Sequence, residues 1–223
     1  MKKALIIAVH PDDETIGCGG TMLKLKEMGW EVYWLMLTAA FPGQAWSDEI
    51  IKKRREEIVE VAKIYGVSAT LNLKYPAATL DQQSLGEVIG KISGILADVK
   101  PDWVFLPNRS DVHSDHRVGF EAAWAACKWF RAPSISKVLM FECVSETEYA
   151  PPFGEGAFIP NFYIDITSHL SRKLEIMDRY KSELQSPPFP RSREVVEALA
   201  RYRGSRMGAH HAEAFMILFE SLK

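Results

Sequence analysis

The sequence lacks the features that mark secreted, disulfide-linked or membrane proteins. It contains only three cysteines, Cys18, Cys127 and Cys143, and no Cys-x-x-Cys motif. The odd number argues against a disulfide framework, and the spacing argues against a structural zinc knuckle. No run approaches the ~18 apolar residues of a membrane helix, and the apolar stretch after Lys3 is too short for a signal peptide. We therefore expect a cytoplasmic protein that does not insert into a membrane.

An excess of charge of one sign is also lacking. Lys and Arg total 27, Asp and Glu total 29, and the formal net charge is −2. Since no long basic block occurs, nucleic acid is not expected as a partner. The 223 residues are 47% hydrophobic, which is enough for a large core. Neither a repeat nor a low-complexity tract nor a linker divides them, so we expect one domain, 1–223.

Short apolar runs alternate with helical patterns along the chain. Strands are predicted over 4–9, 31–37, 70–73, 103–106, 137–143 and 161–166. Helices are predicted over 21–29, 48–65, 85–96, 118–130, 167–184 and 193–202. The stretch 212–219 fits a helix or a strand equally well. Strand–helix–strand units imply parallel strands joined by right-handed crossovers, so the pattern predicts an α/β fold.

Two polar clusters each follow a predicted strand. The first, His10-Pro11-Asp12-Asp13-Glu14, comes directly after 4–9 and leads into Gly17-Cys18-Gly19-Gly20. The second, Asp111-Val112-His113-Ser114-Asp115-His116, comes soon after 103–106. In open α/β sheets, ligands bind beyond the carboxyl ends of the strands. We interpret the two clusters as loops that meet around one metal ion.

Imidazole and carboxylate groups are suitable ligands for a cation such as Zn²⁺. A catalytic zinc keeps about three protein ligands and leaves a position for water, and His10, Asp13 and His116 could supply that set. Capping a helix needs one acid, whereas consecutive carboxylates repel one another unless a cation compensates. Neighbouring side chains in extended backbone point to opposite sides. Asp12 is then free to accept a proton from water.

The second cluster holds two histidines three residues apart. If a helix begins there, His113 and His116 lie on one face. One could bind the metal while the other donates a hydrogen bond to a developing oxyanion. Asp115 could orient and charge an imidazole, most readily that of His113. The alternative is a polar helix start with Ser114 or Asp115 as the cap. Together the two clusters indicate metal-assisted hydrolysis.

These motifs resemble those of the LmbE-like, or PIG-L, family of zinc-dependent N-deacetylases. The resemblance rests on Ala8-Val9-His10-Pro11-Asp12-Asp13-Glu14, Gly17-Cys18-Gly19-Gly20 and His113-Ser114-Asp115-His116, with weaker support from Arg54-Arg55-Glu56-Glu57 and Ala212-Glu213-Ala214-Phe215. It implies a Rossmann-like three-layer α/β sandwich with a mostly parallel sheet. It also implies one Zn²⁺ per chain, although other divalent metals fit. Because the family includes hexamers and other assemblies, a homo-oligomer is expected.

The resemblance also implies a role for each residue of the two clusters. It implies three zinc ligands: His10, Asp13 and His116. It implies Asp12 as the general base and His113 as the oxyanion-stabilising acid, with Asp115 as its partner. Family members remove acyl groups, usually acetyl, from the 2-amino group of glucosamine-containing molecules. We therefore expect hydrolysis of an N-acetyl group on a GlcNAc-containing small molecule or glycoside. The alternative is an amidase acting on another N-acyl or thiol-conjugate substrate.

Three other functions are weighed against this one. Two histidines and a carboxylate also form the site of non-haem Fe(II) oxygenases, but those usually have all-β folds. A Rossmann nucleotide-binding protein needs G-x-G-x-x-G, a spacing that Gly17, Gly19 and Gly20 do not have. A metal-dependent binding module with a degenerate site is the third, and the presence of every ligand and base position argues against it.

Residues outside the two clusters are harder to assign. Arg54 is interpreted as a solvated charge on a helix, although it could reach the substrate. His210 and His211 could line the site or form a surface pair. Phe41, Trp46 and the loop 151–160 could together form a wall on which a sugar stacks, but aromatic residues more often belong to the core.

Overall fold

The fold is that of a computed structural model, which describes residues 1–42 and 46–222 apart from the side chain of Glu155. The strands are β1 (Lys3–Ala8), β2 (Glu31–Ala39), β3 (Ala69–Pro76), β4 (Trp103–Pro107), β5 (Lys137–Phe141), β6 (Phe162–Asp165) and β7 (Ala212–Glu220). The helices are α1 (Asp13–Glu27), α2 (Asp48–Tyr65), α3 (Leu85–Val99), α4 (Ser114–Ala126), α5 (Leu170–Met177) and α6 (Arg193–Met207). Among the described residues, no helix combines the length and the apolar character needed to cross a membrane.

One seven-stranded sheet has the order β3-β2-β1-β4-β5-β7-β6. Strands β1 to β5 pair in parallel, and β7 pairs antiparallel with both β5 and β6. The predicted α/β fold with a mostly parallel sheet is therefore confirmed. The undecided segment 212–219 is a strand because it fills the gap between β5 and β6, where it forms hydrogen bonds on both sides.

The side chains of β1 point alternately to the two faces of the sheet, and helices cover both faces, so the fold has three layers. Leu5 and Ile7 are fully buried in a core that includes residues of α3 and α4. Ala4 and Ile6 point the opposite way, into a second core that includes residues of α1, α2 and α5. Because successive side chains of a strand point to opposite faces, a strand covered by helices on both faces is apolar throughout, as β1 is.

Helix boundaries differ from the prediction at several places. Helix α1 begins at Asp13 instead of Thr21, α4 ends at Ala126 instead of Phe130, and α5 ends at Met177 instead of Leu184. The start of α1 was predicted too late because Gly17, Gly19 and Gly20 have low intrinsic helix propensity, which indicated a loop.

The glycines of α1 are needed for close packing. A Cβ on Gly17 would lie 2.3 Å from Cδ2 of Phe141 in β5, and a Cβ on Gly20 would lie 2.7 Å from Ile166. Only glycine lets α1 approach the sheet and the segment between β6 and α5 so closely. Tertiary packing therefore overrides the propensity of the isolated segment.

Candidate active site

Strands β1 and β4 lie side by side and deliver the two polar clusters to the same edge of the sheet. The chain runs from β1 to β2 on one side of β1, and β4 later adds to the other side. This reversal of strand order is where open α/β sheets bind ligands. One ligand atom from each of His10, Asp13 and His116 lies within 4.8 Å of the other two, so these residues could hold a metal ion.

Asp13 is held in place by hydrogen bonds to the end of β1. Its Oδ2 accepts hydrogen bonds from the backbone N–H groups of Val9 at 3.0 Å and His10 at 2.8 Å. Its Oδ1 lies 3.4 Å from Sγ of Cys143, whose thiol donates to it. Burial raises the pKa of Asp13, but the imidazoles of His116 and His10 outweigh burial and lower it overall. The carboxylate is therefore ionised and suited to a cation.

His116 is buried, and a carboxylate fixes its tautomer. Nδ1 of His116 lies 2.8 Å from Oδ2 of Asp111. Oδ1 of Asp111 accepts hydrogen bonds from Nδ2 of Asn108 at 2.8 Å and from Oγ1 of Thr147 at 2.7 Å. An ionised carboxylate only accepts, so Nδ1 of His116 carries the proton. Sequence reasoning did not assign this orienting role to Asp111, although its position five residues before His116 was a usable signal.

The other ring nitrogen of His116 is left for a ligand. Nε2 is buried, has no hydrogen-bond partner among the described residues, and lies 3.4 Å from Oδ2 of Asp13. Burial lowers the pKa of His116, but Asp13 and Asp111 outweigh burial and raise it to about 9. This negative field favours a positive charge at Nε2, either a proton or a metal cation. An orphaned buried nitrogen beside an ionised carboxylate therefore fits a metal site.

The carboxylate of Asp115 forms its side-chain contact with His10. Its Oδ2 lies 3.2 Å from Nε2 of His10, and its side chain accepts the backbone N–H groups of Ala78 at 2.6 Å and Leu80 at 2.9 Å. Burial raises the pKa of Asp115, but the hydrogen bonds from His10 and from these two backbone groups outweigh burial and lower it. The charge of Asp115 also acts on His113, whose pKa it raises against the larger effect of burial, and the predicted partnership of Asp115 with His113 stays a prediction.

The ring of His113 forms its hydrogen bond with Asp115 through the backbone of Asp115. Nδ1 of His113 accepts the backbone N–H of Asp115 at 3.1 Å, so the neutral ring carries its proton on Nε2. Burial and the neighbouring His10 and His116 lower the pKa of His113 to about 4. A neutral imidazole with a fixed N–H lines the cavity as a hydrogen-bond donor. His10, His113 and Asp115 also lie close enough to hold a metal, but Nδ1 of His113 already accepts this hydrogen bond.

Asp12 has a strained backbone and pairs with a cationic side chain, Arg191. Its φ of 124° is uncommon for a residue with a side chain, and such strain is typical of functional sites. Burial, together with the charge of Asp13, raises the pKa of Asp12 to about 8. Arg191 opposes this increase through Nη1, which lies 3.1 Å from Oδ2 of Asp12. Sequence reasoning missed Arg191, since no local pattern links it to a residue so distant in the chain.

An ion-pair chain extends from Asp12 along the wall of the cavity. Arg191 also pairs with Glu183 at 3.3 Å, and Glu183 in turn pairs with Arg54. The guanidinium of Arg54 lies 4.9 Å from the ring centroid of Trp46. The interpretation of Arg54 as a solvated charge is therefore wrong, because its side chain is partly buried and paired.

A cavity of about 720 Å³ adjoins the cluster. His10, Asp12 and His113 line its inner end, and apolar side chains line much of the remainder: Met36, Phe41, Trp46, Ile51, Ile58 and Val59. Neither His210 nor His211 is among the described residues that line it. The loop 151–160 contributes to a separate cavity of about 320 Å³. Phe41 and Trp46 thus lie at the candidate site, whereas that loop does not.

Comparison with known proteins identifies deacetylases by family model, by sequence and by structure. The family model described as PIG-L: GlcNAc-PI de-N-acetylase matches residues 5–127. A diacetylchitobiose deacetylase of Thermococcus kodakarensis is 26% identical over 220 residues, covering 96% of this chain and 82% of the relative. A probable N-acetyl-alpha-D-glucosaminyl L-malate deacetylase 2 of Bacillus anthracis is 24% identical over 210 residues, 89% of this chain and 88% of its own. The N,N'-diacetylchitobiose deacetylase of Pyrococcus horikoshii superposes with a TM-score of 0.77 at 26% identity, over 97% of this chain and 84% of that protein.

Proposed function

The chain belongs to the PIG-L family, and from that premise we propose that it is a zinc-dependent hydrolase that removes the N-acetyl group of a GlcNAc-containing small molecule or glycoside. One observation carries the chemical part of the proposal. His10 and His116 each turn one nitrogen to a carboxylate other than Asp13, namely Asp115 and Asp111, which leaves the other nitrogen for a cation beside Asp13. The sugar part is supported by the relatives, which are deacetylases of chitobiose and of GlcNAc-malate.

His10, Asp13 and His116 would hold the metal. Two imidazoles and one carboxylate are a common protein ligand set for catalytic zinc. When bound, the cation would polarise the amide carbonyl and lower the pKa of a water molecule. Because every ligand comes from the ends of β1 and β4 or from the helices that follow, the set is held by rigid elements.

Asp12 and His113 would perform the proton transfer and the charge stabilisation. The Asp12 carboxylate lines the cavity next to Asp13, where it accepts a proton from the attacking water and returns it to the leaving amine. Arg191, whose Nη1 lies 3.1 Å from Oδ2 of Asp12, would orient that carboxylate. His113 donates its Nε2–H to the oxyanion that develops from the acetyl carbonyl. No serine or cysteine nucleophile is required.

The reaction is tested with a panel of N-acetylated substrates. Metal-loaded protein is incubated with N-acetylglucosamine, diacetylchitobiose, GlcNAc glycosides and N-acetyl amino acids, and both acetate and free amine are measured. We expect release from at least one GlcNAc compound, and we expect a chelator to abolish it. Release only from N-acyl compounds without the sugar would retain the hydrolase and reject the amino-sugar substrate.

Variants separate metal binding from catalysis. Asp12→Asn should retain the metal and lose ~10²-fold or more of kcat, because an amide cannot accept the proton. His116→Ala should lose the metal itself. Asp81→Asn is the matched control, since Asp81 is an exposed carboxylate that is not among the residues lining the cavity. Full activity in Asp12→Asn, measured at equal metal content, would show that the base is assigned to the wrong residue.

A further inference from the structure

We propose that the carboxylate of Asp115 positions the metal ligand His10 and not the ring of His113. The inference deepens the proposed function, because it rests on the same metal site. Oδ2 of Asp115 lies 3.2 Å from Nε2 of His10, while the contact between Asp115 and His113 runs through the backbone N–H. The carboxylate is completely buried, so no solvent competes for it.

The tautomer of His10 follows from this contact. A carboxylate only accepts hydrogen bonds, so the nitrogen that faces it must carry the proton. Nε2 of His10 is then the N–H, and Nδ1 holds the lone pair that a metal needs. His116 shows the opposite arrangement, with Nδ1 turned to Asp111. The site therefore presents Nδ1 of one histidine and Nε2 of the other, each fixed by its own carboxylate.

Asp115 also ties the metal ligand to the wall of the substrate cavity. Its carboxylate accepts the backbone N–H groups of Ala78 and Leu80, and Ala78 lines the cavity. Ala78 has a φ of 60°, which is uncommon for a residue with a side chain. A buried acceptor at 2.6 Å from its N–H offsets the cost of that conformation. One side chain thus positions both His10 and the segment that faces the substrate.

The tautomers can be read in the unmutated protein. Long-range proton–nitrogen correlation spectra distinguish the two neutral tautomers of each imidazole, and cadmium in place of zinc couples to the nitrogen that binds it. We expect His10 to be protonated on Nε2 and bound to cadmium through Nδ1, with His113 protonated on Nε2 and uncoupled. Binding of cadmium through Nε2 of His10 would overturn the proposal.

Substitution of Asp115 then separates positioning from charging. Asp115→Asn should lower the affinity for zinc by ~10- to 100-fold, the usual effect of losing an orienting carboxylate. At saturating zinc, kcat should return to within a few-fold of the parent. Unchanged zinc affinity with a large loss of kcat would instead assign the charge of Asp115 to His113. Asp81→Asn, which removes an exposed carboxylate beside Leu80, should change neither quantity.

The readouts are independent of the substrate. Zinc affinity and the imidazole tautomers are measured without any acetylated compound, so a failure to hydrolyse GlcNAc substrates would contradict the proposed function and leave this inference standing. Conversely, the protein could hydrolyse only an unrelated amide while His10 is protonated on Nε2 and binds cadmium through Nδ1. That result would support the inference and reject the amino-sugar substrate. If Asp115→Asn does not fold, the spectra of the unmutated protein still show whether His10 has the tautomer that its contact with Asp115 requires.

Discussion

Replacing Gly17 with alanine tests whether the glycines of α1 are there for packing. A Cβ at this position would lie 2.3 Å from Cδ2 of Phe141 and 2.9 Å from the carbonyl oxygen of Glu142. Neither atom is the free end of a flexible side chain, since Phe141 is completely buried in β5 and the oxygen belongs to the backbone. Helix α1 would therefore have to move away from the sheet, and Asp13 lies in its first turn.

The expected size of the effect follows from two opposing contributions. Overpacking a core costs about 1–3 kcal/mol, and the high helix propensity of alanine returns at most about 1 kcal/mol. The short contacts place Gly17→Ala near the upper end, at a net loss of about 2 kcal/mol. For a chain of this length, 1 kcal/mol shifts Tm by about 2–4 °C, so Tm should fall by about 4–8 °C.

Gly90→Ala is the matched control. Gly90 lies in the interior of α3, and a Cβ there would meet no atom within 4 Å. The same substitution should therefore stabilise the protein, by up to about 1 kcal/mol. Both variants are compared with the parent by calorimetry, and zinc affinity is measured alongside because displacement of α1 moves Asp13. A Gly17→Ala variant as stable as Gly90→Ala would refute the packing explanation.

Three further perturbations have defined outcomes. Glu213→Gln removes the counter-charge of the buried Lys173, whose Nζ lies 2.7 Å from Oε1 of Glu213, and should cost about 3–5 kcal/mol in urea unfolding. Arg191→Met should lower kcat at unchanged metal content because Asp12 loses its orienting partner, and Arg191→Lys should restore part of it in steady-state kinetics. Burial raises the pKa of the Cys127 thiol to about 12, so iodoacetamide should label it only after unfolding, as read by mass spectrometry.

Local sequence patterns were sufficient to predict every strand of the described residues except β7, and they indicated the chemistry of the two clusters. The apolar run 4–9 and the segment 103–106 correspond to β1 and β4, because a strand covered on both faces is apolar throughout. The types and order of His10, Asp13 and His116 were enough to indicate a cation site, since ligand chemistry depends on residue type. The single domain, the homo-oligomer and the cytoplasmic location stay predictions.

Tertiary structure alone decided the start of α1 and the partners of the site residues. Gly17 weakens a helix in isolation, and only the proximity of Phe141 shows why a helix containing it is favoured. Asp115 faces His10 because β1 and β4 are neighbours, and Arg191 reaches Asp12 across a separation of 179 residues. Periodicity and propensity report interactions within a few residues of the chain, whereas tautomers, ion pairs and close contacts depend on which distant segments pack together.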